Sequence, residues 1–92
     1  MGIAVWLKNM KFKASVEVKL KPGFFDPEGE AAKDALNDLG YKVYSVRVSK
    51  LYAIELEAQN IDEAKKLVDE MCRRLLANPT KDLYNVEVYP SD

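Results

Sequence analysis

The sequence contains no histidine and a single cysteine, Cys72, in 92 residues. Without histidine, the chain cannot build a Ser-His-Asp or Cys-His catalytic centre or a histidine-ligated metal site. A lone cysteine excludes an internal disulfide and a multi-cysteine zinc site. One free thiol in a chain with no signal peptide is typical of the reducing cytoplasm, which is therefore the expected location.

Neither charge nor hydrophobicity is in excess. Lys and Arg number 14 and Asp and Glu number 15, so the net charge is −1. This balance lacks the basic surplus that binds phosphate backbones, and no nucleic-acid partner is expected. The longest apolar run, Ile3 to Leu7, is far shorter than the roughly 20 residues of a membrane span, and no membrane association is expected. Phosphate-binding glycine motifs are also missing from the sequence.

Alternating polar and apolar residues predict four strands, each with one buried face. The first runs from Lys11 to Lys21 and ends at Pro22-Gly23. Two short strands, 44–48 and 52–58, follow, and we expect a hairpin turn near Ser49-Lys50 between them. A single long bent strand is the alternative. The last strand covers residues 84–88.

Two stretches with helical spacing alternate with these strands. The first helix begins with Asp26 as its N-cap and Pro27 in its first turn, and it ends at Gly40. The second begins at Asn60, with Glu63 placed for a capping box, and it ends before Pro79. Its apolar stripe has the clearest periodicity of the chain, and it comprises Ala64, Leu67, Val68, Met71, Cys72 and Leu75.

The order strand, helix, strand, strand, helix, strand predicts an α+β, ferredoxin-like β-α-β-β-α-β fold. In this fold two helices cover one face of an antiparallel sheet. Residues 11–92 form a single domain in this prediction, and residues 1–10 are an N-terminal extension of unassigned role. So small a sheet leaves its edges open, and open edges pair with other copies. We therefore expect a dimer or a tetramer that associates through sheet edges.

The residues with reactive or metal-binding side chains have structural roles in this prediction and no catalytic ones. Cys72 lies on the apolar stripe, so we expect a buried and inert thiol. The carboxylates around residues 62–70 have the spacing of a solvated helix face rather than of a metal site. No catalytic, cofactor-binding or metal-binding residue is therefore predicted.

Two loops, 21–29 and 71–79, contain apolar residues that helix capping does not explain. Phe24 and Phe25 precede the first helix, and Leu76 and Ala77 continue apolar beyond the helical stripe. Surplus apolar residues at the ends of elements are typical of a protein contact.

At these loops the sequence resembles the PurS family, the small S subunit of phosphoribosylformylglycinamidine synthase. The resemblance covers Lys11 to about Val88. Its motifs are Lys21-Pro22-Gly23, Asp26-Pro27-Glu28-Gly29, Ala35-Leu36 with Leu39-Gly40, Val46-Arg47 with Lys50, and Met71-Cys72 with Leu75-Leu76-Ala77-Asn78-Pro79. Ser49 stands where the family often has glycine. Thr80-Lys81-Asp82 replaces two aliphatic residues and an acid.

The resemblance implies a non-catalytic accessory subunit of de novo purine biosynthesis. The ligase converts formylglycinamide ribonucleotide and glutamine to formylglycinamidine ribonucleotide, with consumption of ATP. The implied partners are the glutaminase subunit, the large synthetase subunit and further copies of this chain. The small subunit would join the larger two and assist ammonia transfer. ATP and Mg²⁺ are expected on the large subunit, with no cofactor on this chain.

The motif residues complete the predicted contact set. In this interpretation Arg47 and Lys50 project from the hairpin. The candidate contact residues are Phe24, Phe25, Asp26, Arg47, Lys50, Leu76, Ala77 and Asn78.

Two other function classes remain open from the residues alone. One is a ferredoxin-like regulatory module that binds a small metabolite at a dimer interface. The other is a small enzyme that uses Glu55 and Glu57 in a dimer cleft.

Overall fold

The computed structural model describes residues 9–91. Most of the expected extension, residues 1–8, lies outside this range. Met10, which the sequence assigned to the extension, is instead the first residue of a strand. It lies opposite Ala58 in the sheet, so the regular structure begins one residue earlier than predicted.

Three antiparallel strands form the sheet, in the order β2-β1-β3. Strand β1 spans Met10–Leu20, β2 spans Ser49–Ala58 and β3 spans Asp82–Pro90. Val16 lies opposite Tyr52 on one side and Val86 on the other. Because side chains alternate along a strand, this register places the even-numbered apolar residues on one face. The predicted α+β class with an antiparallel sheet is confirmed.

Helix α1 spans Pro27–Asp38 and helix α2 spans Ile61–Met71. The predicted caps are present: the Asp26 carboxylate accepts from the Gly29 N–H, and the Asn60 side chain accepts from the Glu63 N–H. Gly40 follows α1 with a φ of +101°, a conformation that favours glycine. Both predicted helix starts are therefore correct.

The core lies between α2 and the apolar face of the sheet. Val16, Val68 and Cys72 are fully buried there. Burial raises the pKa of the Cys72 thiol, and the negative charge of Asp69 raises it further. The thiol is therefore held in its protonated, weakly nucleophilic form, in agreement with the predicted structural role.

The predicted fourth strand is not formed within the chain. Among residues 9–91, the segment 41–48 has no place in the sheet, and no turn separates it from β2. Lys50, expected in a hairpin turn, lies inside β2 opposite Val18. The hairpin prediction is wrong, and the alternative of one continuous extended run is closer. The physical reason is that positions 49–50 hold no glycine or asparagine for a tight reversal.

The segment 41–48 instead runs back beside α1. The Asn37 side-chain amide donates to the Val43 carbonyl at 3.1 Å, and the Asn37 oxygen accepts from the Val43 N–H at 3.0 Å. These bonds replace two that a neighbouring strand would supply. We call residues 27–48 the arm, and the three strands with α2 the body.

Only α2 packs on the sheet, so the prediction that both helices cover one sheet face fails within a single chain. The molecule measures 66 × 28 × 15 Å, and its radius of gyration is 18.6 Å. A compact domain of this length would have a radius of gyration of about 12 Å. The arm therefore extends beyond the body instead of folding onto it.

Helix α2 ends in a π-helical turn, Cys72–Leu76, closed by a hydrogen bond of 2.9 Å from the Ala77 N–H to the Cys72 carbonyl. The wider turn rotates the following side chains relative to an α-helix. Leu75 is 83% exposed, whereas Leu76 packs against the core. The helical spacing placed Leu75 in the buried stripe, and the π turn is why that assignment is wrong.

No helix within residues 9–91 combines the length and apolar character that a membrane crossing requires.

The π turn predicts opposite outcomes for two adjacent leucines. Leu76→Ala should lower the free energy of unfolding by about 1–2 kcal/mol, because it removes partly buried methyl groups. Leu75→Ala, the matched control, should change it by less than about 0.5 kcal/mol. Urea unfolding of both variants measures the difference. Equal losses would contradict the assigned rotation of the turn.

Candidate functional site

Three segments meet at one end of the sheet, which we call the corner: residues 19–29, 46–50 and 77–82. The Lys21 N–H donates to the Lys81 carbonyl at 2.7 Å, and the Lys21 ammonium donates to the Pro79 carbonyl at 3.1 Å. These bonds tie the loop after β1 to the loop before β3. The corner thus brings together the two loops that the sequence singled out.

Asp26 ties the two ends of the arm together, the start of α1 and the residue before β2. One carboxylate oxygen accepts from the Gly29 N–H at 2.9 Å, and the other accepts from the Val48 N–H at 2.7 Å. These two hydrogen bonds hold the pKa of the Asp26 carboxyl below its usual range. The residue is 6% exposed. Within the chain, Asp26 therefore binds its own backbone, although we predicted it as a contact residue.

Gly29 allows this close approach between helix and segment. A Cβ atom at this position would collide with the Val46 carbonyl oxygen and with the Asp26 carboxylate. Packing thus requires the glycine of the Asp26-Pro27-Glu28-Gly29 motif, because any side chain at this position would occupy the space of the neighbouring backbone.

Arg47 also binds within the corner. Its guanidinium donates to the Phe24 carbonyl at 2.9 Å and to the Lys21 carbonyl at 3.4 Å. The turn it holds includes Gly23, whose φ is +92°. Arg47 therefore fixes the loop that carries Phe24 and Phe25, which are 37% and 72% exposed.

Two clefts flank the start of β2. The first, of about 290 Å³, is lined in part by Asp26, Lys50 and Asn78. The second, of about 390 Å³, is lined in part by Arg47 and Leu83. Asp26 and Asn78 from the two loops and Arg47 therefore lie close to Lys50 at the start of β2. Lys50 is itself a residue of this strand and not of a hairpin turn.

Leu76 and Ala77 belong to the interior. Ala77 is 8% exposed, and both residues pack in the core cluster beneath α2. Their apolar character, which helix capping did not explain, is explained by this packing. They contribute no exposed area to the corner comparable to that of Phe25.

Asn78 closes the loop that precedes β3. Its side-chain oxygen accepts from the Thr80 N–H at 2.9 Å, and its carbonyl accepts from the Asp82 N–H at 2.8 Å. The Asp82 carboxylate accepts from the Asn78 N–H at 2.8 Å in return. The Thr80-Lys81-Asp82 departure from the family pattern therefore still builds a closed turn.

A polar cluster that the sequence pattern did not predict lies on the side of α2 that faces β3. The Tyr84 hydroxyl donates to Asp69 at 2.7 Å, and Arg73 donates to the same carboxylate at 2.8 Å. The Tyr84 hydrogen bond, followed by that of Arg73, lowers the pKa of Asp69, and the bond to Asp69 raises the pKa of Tyr84. The spacing of Asp69 and Arg73, four residues apart on a helix, was the available signal.

Glu55 and Glu57 lie on the outer sheet face, opposite Lys13 and Lys11. Oppositely charged residues across neighbouring strands are ordinary on a polar sheet face. Within the described part of the chain, no cluster of three or more acidic or thiol side chains has the geometry to hold a metal ion.

The chain matches the PurS family model, described as phosphoribosylformylglycinamidine (FGAM) synthase, over residues 13–90. It is 42% identical over 78 residues to the PurS subunit of Methanocaldococcus jannaschii, covering 84% of this chain and 94% of the relative. It is 45% identical over 74 residues to the Archaeoglobus fulgidus subunit, covering 79% and 92%.

Comparison with solved structures gives the same similarity. The crystal structure of Methanocaldococcus jannaschii PurS superposes with a TM-score of 0.77 at 39% identity, over 88% of this chain and 99% of that one. A chain in the structure of PurLQS from Thermotoga maritima superposes with a TM-score of 0.78 at 31% identity, over 86% and 98%.

The two hydrogen bonds that the Asp26 carboxylate accepts, from Gly29 and Val48, predict a specific dependence of stability on pH. Folding lowers the pKa of Asp26, so the ionised carboxylate stabilises the folded state. This stabilisation is complete above the pKa of the unfolded state, about 4, and is lost as pH falls through the lower pKa of the folded state. Asp26→Asn should therefore be less stable than wild type at pH 7, and the gap should narrow at pH 3. Asp34→Asn, an exposed position on α1, is the control. Urea unfolding at both pH values measures the gap, and a gap that widens at pH 3 would contradict the assignment.

Proposed function

Because the chain belongs to the PurS family of phosphoribosylformylglycinamidine synthase subunits, we propose that it bridges a glutaminase subunit and a large synthetase subunit without catalysing either reaction. The observation that carries this proposal is the family match over residues 13–90. The similarity to a chain of the Thermotoga maritima PurLQS structure supports assembly with two other kinds of subunit.

In this proposal the two larger subunits supply the chemistry. The glutaminase releases ammonia from glutamine, and the synthetase binds ATP with Mg²⁺ and transfers the ammonia to formylglycinamide ribonucleotide. The complex works in the cytoplasm, where the free thiol of Cys72 is stable. This chain contributes position, because holding two reacting centres in a fixed relation lowers the entropic cost of their meeting.

The corner has the properties of a docking surface for one of these subunits. Phe25 is 72% exposed, and Arg47 pins the backbone of the loop that carries it. An aromatic side chain on a fixed loop loses little conformational freedom on binding, which favours affinity. Phe24, Lys50 and Asn78 extend the surface around it, while the hydrogen bonds of Asp26 and Arg47 hold its backbone in place.

Self-association is the second part of the proposal. Leu39, Tyr41 and Tyr44 are 75%, 62% and 90% exposed on the arm. So much exposed apolar surface on one small element is typical of an interface. We propose a homodimer or a dimer of dimers in which other copies cover the arm.

The nitrogen source separates bridging from catalysis. With ammonium as the nitrogen donor, the synthetase should work equally well with and without this chain. With glutamine, synthesis should require it. Measurement of formylglycinamidine ribonucleotide formation under both conditions tests the role, and glutamine-driven synthesis at full rate without the chain would contradict it.

The docking surface is tested by a pair of exposed aromatic residues. Phe25→Ala should lower glutamine-driven synthesis at least tenfold at limiting concentrations of the chain, because it removes the exposed anchor of the corner. Tyr89→Ala, at the opposite end of the sheet and 48% exposed, is the control and should leave the rate within twofold. Equal effects of the two variants would remove the corner from the proposal.

A further inference from the structure

One of the two clefts at the corner opens on the sheet face away from α2. It is the cleft of about 390 Å³ that Arg47 and Leu83 line in part, and we call it the outer cleft. Lys19, Ser49 and Leu83 lie side by side across the three strands and belong to its lining. Because side chains alternate along a strand, Lys19 lies on the face opposite to that of its buried neighbour Val18.

Apolar side chains form much of the wall of the outer cleft. Leu83 is 44% exposed and Val48 is 36% exposed, and Leu20 and Pro22 complete this part of the lining. Val48 is held in place, because its N–H donates to the Asp26 carboxylate at 2.7 Å. A wall that is already fixed loses little conformational freedom when a partner binds.

Two cations and no carboxylate belong to the lining of the outer cleft. The cations are Lys19 and Arg47, and within residues 9–91 neither forms an ion pair. The Arg47 guanidinium donates to two backbone carbonyls, so three of its five N–H groups have no acceptor in that range. Two carboxylates lie nearby, but Glu17 accepts from the Ser49 hydroxyl at 3.2 Å, and Asp26 is buried with both oxygens accepting from backbone. The surface of the cleft is therefore positively charged.

The other cleft at the corner has a different charge. Lys50 and Lys81 line it together with three carboxylates, those of Asp26, Glu28 and Asp82. Charges of both signs thus meet within the chain there, and only the outer cleft presents cations beside apolar side chains without carboxylates in its lining.

We propose that the outer cleft binds a segment of one of the two larger subunits in which a carboxylate side chain lies next to an apolar one. The carboxylate accepts from Arg47 and Lys19, and the apolar side chain packs on Leu83 and Val48. The planar guanidinium suits this role, because its N–H groups match the two oxygens of a carboxylate. A small inorganic anion would leave the apolar wall uncovered, so the lining favours a protein segment. This inference rests on the proposed bridging function and names the chemistry of its contact.

Binding of the full-length chain to each purified larger subunit tests the contact. The chain is labelled with a fluorophore at its amino terminus and titrated with the glutaminase and with the synthetase separately, with anisotropy as the readout. Lys19→Glu should raise the Kd for one of them about tenfold or more, because it places like charges against each other. Lys19→Arg should stay within about twofold of wild type. Lys66→Glu, an equal change of charge at an exposed position of α2, is the control and should also stay within about twofold.

The salt dependence of the same Kd separates charge from apolar contact. Lys19→Gln should weaken binding about two- to fivefold at low salt, and added NaCl should weaken wild type more steeply than this variant. Leu83→Ala should weaken binding about fivefold and keep the salt dependence of wild type. An equal Kd for wild type and Lys19→Glu would overturn the contact, and so would an equal salt dependence of wild type and Lys19→Gln.

Two further measurements complete the test. Urea unfolding of each variant should give the midpoint of wild type, because Lys19 and Leu83 are exposed. Inorganic phosphate at millimolar concentration should leave the Tm of the wild-type chain unchanged. A rise in Tm that Lys19→Gln abolishes would identify a small anion as the occupant of the cleft and would contradict the proposal.

Failure of this contact differs from failure of the bridging function. If the wild-type chain binds a larger subunit and the Lys19 variants bind it equally well, the outer cleft alone is rejected. If the wild-type chain binds neither subunit, the bridging function is rejected and the cleft contact with it.

Discussion

The two hydrogen bonds of the Asp26 carboxylate determine the shape of this protein. One bond caps helix α1 and the other binds Val48, immediately before β2. Together with the tight approach of Gly29 to Val46, they hold the helix against the extended segment. The arm therefore follows the direction of β2 away from the body, and α1 does not return to the sheet.

Much of the architecture could be predicted from local patterns. Strict alternation identified β1, and the caps at Asp26 and Asn60 placed both helix starts. These features depend on neighbouring residues, so the sequence carries them directly. The position of the arm could not be predicted in this way, because a strand pattern such as 44–48 shows which face is apolar but not which strand it meets.

In the corner, too, the local features could be predicted from the sequence and the long-range contacts could not. Phe24 and Phe25 are exposed at the end of a fixed loop, where the sequence placed surplus apolar residues. Leu76 and Ala77 appeared equally surplus but fill the core, because the π turn shifts the helical register by a fraction of a turn. Arg47 appeared to be a projecting cation, whereas it binds two backbone carbonyls of a loop 23 and 26 residues away in the chain. Such long-range partners leave no periodic signal in a single sequence.

Surface contacts carry the function that we propose for this protein. In the proposed function the corner contacts a larger subunit, and the exposed apolar residues of the arm contact another copy. The central claim is that this chain joins the glutaminase to the synthetase. Sedimentation of a fluorescently labelled glutaminase subunit with the large synthetase subunit tests it most directly. The account predicts co-sedimentation only when this chain is present, and co-sedimentation of equal strength in its absence would contradict it.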